Sequence, residues 1–67
     1  MSEDGEIFKA ASRLIEQHGE AAAAVASHHM TTLREQGDLG AATHWGRIIA
    51  MIETLQRQER TGTDDAP

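Results

Sequence analysis

The feature that most restricts this chain is the spacing of its largest apolar residues. Ala41, Trp45, Ile48, Ile49, Ile52 and Leu55 recur mostly at three-residue and four-residue intervals. That spacing puts them on one face of an α-helix. Near the start, Ile7, Phe8, Ala11, Leu14 and Ile15 form a second helical face. Between the two lies an alanine-rich stretch with Ala22, Val25, Ala26, Leu33 and the stem of Gln36 on one side. Alanine is the best helix former. No segment alternates with the period of two that a half-buried strand requires. The sequence therefore predicts an all-α chain.

Glycines mark the joints. Gly19 follows His18, and Gly37 follows Gln36, each where the residue after a helix adopts a left-handed backbone. Ser2 or Asp4 is expected to cap the first helix, and Asp38 the third. The expected helices are 3–18, 20–36 and 39–58. Their short joints favour antiparallel neighbours. The expected object is a small three-helix bundle over residues 1–58, followed by a disordered tail at 59–67, "ERTGTDDAP", which lacks large apolar residues.

Sixty-seven residues make one domain at most. A chain of this size buries only about 60% of its unfolded surface, so small folds usually add a staple. With no cysteine, neither a disulfide nor a thiolate zinc site is open to it. Regular helix packing, self-association (for example a homodimer) or docking on another protein remain. The net charge is −5, with eleven acids against six basic residues. Lys9, Arg13, Arg34, Arg47, Arg57 and Arg60 are scattered among acids, which argues against a phosphate-neutralising surface and so against nucleic acid as a partner. The longest apolar runs, 21–26 and 48–52, fall far short of the ~20 residues of a membrane span. The acidic start "MSEDGE" is unlike the basic first segment of a secretory signal. A cytoplasmic protein is expected.

Two resemblances add to this reading. The segment "LREQGDLGAATHWGRIIAMIETL" resembles a single helix–turn–helix unit of tetratricopeptide type. Gly37-Asp38 stands at its turn, and Leu39, Ala42, Trp45, Ile48 and Ile49 stand at its packing positions. One such unit does not make a solenoid, which takes about three repeats. The stretches "LIEQHGEAA", "GDLGAATHW" and "IIAMIETLQ" are similar to short helical proteins of unknown function encoded by alphaproteobacteria. That resemblance implies a cytosolic helical module with no known enzymatic assignment, and it transfers no functional residue.

Few residues offer chemistry. His28 and His29 are adjacent, so on a helix they point about 100° apart. Helical zinc ligands sit at i and i+4, where Thr32 and Leu33 stand instead. His18 and His44 lie on other segments, and no metal or other cofactor is expected. His29 falls near the centre of the alanine stripe and is expected at an interface between helices or subunits, where it is a candidate pH-sensitive contact. His28 lies off the stripe. Ser27 precedes His28, but neighbours on one helix do not set a nucleophile against a base. Glu16 and Glu20 flank Gly19 without a feature that perturbs either. Gly37, Gly40 and Gly46 lack the lysine of a phosphate loop. No catalytic residue is expected.

The expected function is therefore non-enzymatic protein binding by an accessory subunit, regulator or inhibitor. The candidate partner-binding residues are Leu39, Trp45, Ile48, Ile49, Met51, Ile52 and Leu55, with acids at the rim steering a basic partner. Gly40 and Gly46, each costing about 1 kcal/mol relative to alanine inside a helix, suggest a second backbone close by. The alternative is a helix-turn-helix nucleic-acid reader. Its recognition helix would have to use Thr43, His44, Arg47 and Glu53, a poor set for reading bases.

Overall fold

In the computed structural model the backbone is described for residues 2–64 and the side chains for residues 4–58. Those residues are helical apart from one turn, and no strand occurs among them. Helix α1 spans Ser2–His18, α2 spans Ala22–Glu35 and α3 spans Leu39–Asp64.

The α2–α3 joint shows why the chain turns where it does. Gly37 has φ +85°, a left-handed conformation that glycine adopts without a Cβ clash. The Gly37 N–H donates to the Arg34 carbonyl at 3.0 Å, and the Asp38 N–H donates to the Leu33 carbonyl at 2.9 Å. This pair of bonds is the Schellman arrangement, which satisfies carbonyls left over at a helix end. Asp38 then serves the next helix. Its carboxylate Oδ1 accepts from the Ala41 N–H at 3.2 Å, and its carbonyl accepts from the Ala42 N–H at 3.0 Å. Asp38 is thus the N-cap that its position suggested.

The first joint is tighter than expected. Gly19, at φ +58°, ends α1, but residues Gly19–Ala21 form a 3-10 turn before α2 begins. The second helix therefore starts at Ala22 and not at residue 20. The Ala22 N–H bonds to the Gly19 carbonyl. That same carbonyl also accepts from Gln56 Nε2 at 2.9 Å, so a side chain of α3 clamps the α1–α2 turn. At the other end, α3 continues to Asp64, past the expected stop at 58. Glu59 and Arg60 are good helix formers, and the single proline, Pro67, comes too late to break the helix. The part of the expected tail at 59–64 is helical backbone, and 65–67 lie outside the described residues.

The core is narrow. Ile7, Ala11, Ala22, Ala26, Ile48 and Ile52 form one buried cluster, and among the described residues only Ile48 and Ile52 are large and fully buried. The Ala21–Ala24 run divides by face. Ala22 is buried and Ala23 packs half-buried against the core, while Ala21 and Ala24 are exposed, so Ala22 and Ala26 let α2 approach α3 closely and Ala21 and Ala24 supply propensity alone. At 26 residues, α3 is about 39 Å long and outruns both partners. The radius of gyration is 13.1 Å, where a compact chain of this length has about 11 Å.

Candidate functional site

Burial divides the candidate residues of α3. Ile48 is 2% exposed and Ile52 is 0% exposed. Both are interior, so neither presents surface to a partner while the fold is intact. Trp45, Ile49, Met51 and Leu55 are half-buried at the edge of the same core. Leu39 is 63% exposed, beside the α2–α3 turn and apart from the rest.

The most exposed aromatic is one that spacing alone assigned to the core. Ile7 and Phe8 are neighbours on α1, and only Ile7 turns inward. Phe8 is 50% exposed. Residues one apart on a helix diverge by about 100°, so one of the two had to leave the centre of the packed face. Phe8 lines an open cleft of about 470 Å³ with Ser12, Ile15, Glu16, Leu55 and Gln58. A second cleft, about 300 Å³, is lined by Asp4, Ile7, Arg47, Ala50, Met51 and Thr54. Both are formed by α1 and α3. The start of α1 lies beside residues 47–54, and the end of α1 lies beside residues 55–58. The two helices therefore run in the same direction, with the two clefts in succession along the groove between them.

Trp45 faces a different cleft, about 420 Å³, with Glu6, Lys9, Ala10, Arg13, Leu14 and Gln17 of α1. Its ring is covered from α2 by His29, with centroids 4.8 Å apart and planes 27° apart. His29 is itself exposed, so it packs at the edge of the α2–α3 contact and not inside it. The His28 ring stands 6.5 Å from His29, edge-on. Among the described residues no group of three or more His, Cys, Asp or Glu side chains is placed to hold a metal ion. No helix among them is long and apolar enough to cross a membrane.

The helical glycines meet no backbone. A Cβ added at Gly40 has nothing within 4 Å, and one at Gly46 touches only Met30 Sδ at 3.7 Å. The close backbone approach expected at these two positions does not occur within the chain.

No protein family, curated protein or solved structure matches this chain.

Proposed function

We propose that this chain is a small non-enzymatic protein-binding module. It is a three-helix bundle acting in the cytoplasm as an accessory subunit, regulator or inhibitor. Its binding face is the α1–α3 groove, centred on Phe8, Ile15, Met51 and Leu55. That differs from a face carried by α3 alone around Trp45 and Ile49. The observation that carries the reading is Phe8, half in water above Ile15 and Leu55. Aromatic side chains bury 150–250 Å² when fully covered. Covering the open half of Phe8 is therefore worth about 2 kcal/mol at ~25 cal/mol per Å². An aromatic anchor over an apolar floor with a polar rim, here Glu16 and Gln58, is the usual make-up of a protein-binding hot spot.

The test is site-specific photo-crosslinking in producing cells, with a photoreactive phenylalanine at position 8 and, as a control, at exposed position 28. The reading expects protein adducts from position 8 and few from position 28. Equal labelling from both positions, or adducts to nucleic acid, would refute it. The nucleic-acid outcome would favour the helix-turn-helix alternative.

A further inference from the structure

We infer that the cleft between α1 and Trp45 binds a small aromatic acid, a planar ring system carrying one carboxylate. This site lies on the other flank of α1 from Phe8 and stands apart from the protein-binding reading.

The first observation is local charge. The chain as a whole carries −5. Glu16 is the charged residue lining the cleft at Phe8, and Asp4 and Arg47 offset each other in the cleft at Met51. The Trp45 cleft reverses the sign of the chain, with Lys9 and Arg13 against Glu6. At physiological salt exposed charges are screened beyond about 8 Å. An anion in this cleft therefore responds to these three groups more than to the distant acids.

The second is the placing of the two cations. Lys9 and Arg13 stand four residues apart on α1, where side chains are neighbours. Both are exposed, and among the described residues neither holds a hydrogen bond or an ion pair. Glu6 is within one turn of Lys9 but about two turns from Arg13, so it competes little for the guanidinium. A guanidinium offers two parallel N–H donors that match a carboxylate. Gln17, one turn past Arg13, adds an amide donor to the same rim.

The third is an apolar floor with a fixed ring. Ala10 and Leu14, each next in sequence to a cation, pack against the core and line the cleft. Trp45 lines it from α3. The indole is half-buried, and the His29 ring stacked on it, with centroids 4.8 Å apart, covers one face. Its position is thus set from α2 before a ligand arrives. Aromatic rings pair well with an indole by offset stacking or edge contact. The volume, about 420 Å³, falls within the roughly 300–1,000 Å³ of small-ligand sites, which combine an apolar lining with a few placed polar groups. The ring of the ligand lies against Trp45, Ala10 and Leu14, and its carboxylate meets Arg13 and Lys9.

The deciding experiment is an NMR titration of the full chain with naphthoate. The single tryptophan gives one indole N–H signal, which reports on the cleft directly. Naphthylmethylamine and naphthylmethanol carry the same rings with a positive charge or none. The expected result is a saturable shift of the Trp45 signal by naphthoate with a Kd of about 1 mM, as ligand efficiency implies for an acid of this size. The alcohol binds more weakly, and the amine more weakly still. Lys9→Gln combined with Arg13→Gln weakens naphthoate about tenfold, the loss of charge-assisted bonds to its carboxylate. Arg34→Gln combined with Arg57→Gln removes the same charge at exposed positions outside the cleft and leaves the affinity within about twofold, since distant exposed charges are screened. Absence of a saturable Trp45 shift overturns the site. Equal binding of the amine, or an equal loss in both double variants, overturns the anion preference. The comparison of the three ligands on wild type needs no variant, so it decides the charge preference even if a double variant fails to fold.

Discussion

Gly19, Gly37, Gly40 and Gly46 differ in backbone conformation, so replacing each by alanine shifts stability with a sign that changes along the chain. Gly46 lies inside α3 with ordinary helical φ, and a Cβ there meets only Met30 Sδ at 3.7 Å. That is normal van der Waals contact with the flexible end of a side chain. Gly46→Ala therefore keeps every contact and removes the conformational freedom that glycine holds in the unfolded chain. The gain is about 1 kcal/mol, or about 4–8 °C in Tm for a domain of this size. Gly40→Ala, with nothing within 4 Å, gives the same sign. Gly19 and Gly37, at φ +58° and +85°, reverse it. An alanine Cβ in the left-handed region costs about 1–2 kcal/mol, so each variant melts lower by a comparable interval. The assay is thermal unfolding of the four variants by circular dichroism at one concentration. Loss of stability in Gly46→Ala or Gly40→Ala would mean that something packs on these glycines. A neutral Gly37→Ala would contradict the turn geometry.

Three further outcomes follow from the same structure. Ile52→Ala removes one of two large, fully buried side chains and costs about 2–5 kcal/mol. A chain this small has only a few kcal/mol in total, so the variant loses most of its helix by circular dichroism at 25 °C, and a well-folded variant would contradict the core. Asp38→Ala loses the bond from the Ala41 N–H and about 1 kcal/mol, visible as an earlier midpoint in urea; an unchanged midpoint would remove the cap. Trp45 is the only tryptophan, and the chain has no tyrosine, so its fluorescence reports directly on the His29 ring stacked upon it. His29→Ala uncovers that face of the indole, and the Trp45 emission of the variant moves to longer wavelength than that of the wild type; identical spectra would remove the stacked contact.

Much of the helix layout was legible because apolar spacing and helix-end chemistry agree at the same places. Gly37 and Asp38 each have a residue-level reason to be where they are, and the structure uses both as read, with Asp38 also closing the cap of α2. The face of α2 was readable too, since Ala22 and Ala26 fall on the stripe and Ala24 does not. What escaped depends on how helices cross. Ile7 and Phe8 are equally apolar, and only the line along which α1 meets α3 decides which turns inward. The same crossing makes Ile48 and Ile52 interior and leaves Leu55 at an edge, although all share one stripe. The Gln56 clamp on Gly19 joins residues 37 apart in sequence, and His29 reaches Trp45 across a hairpin, so no local pattern announces either contact. The end of α3 was misjudged because polar residues such as Glu59 and Arg60 carry a helix without an apolar stripe.

The central claim is that one apolar surface divides into a part that holds the fold and a part left open to a protein partner. The most direct test is thermal unfolding of Phe8→Ser beside Ile52→Ala at one low protein concentration. The account predicts that Phe8→Ser, at a half-exposed site, melts within a few degrees of the wild type, because surface changes away from packed features cost little, while Ile52→Ala loses its cooperative transition. A Phe8→Ser variant that melts as low as Ile52→Ala would contradict it.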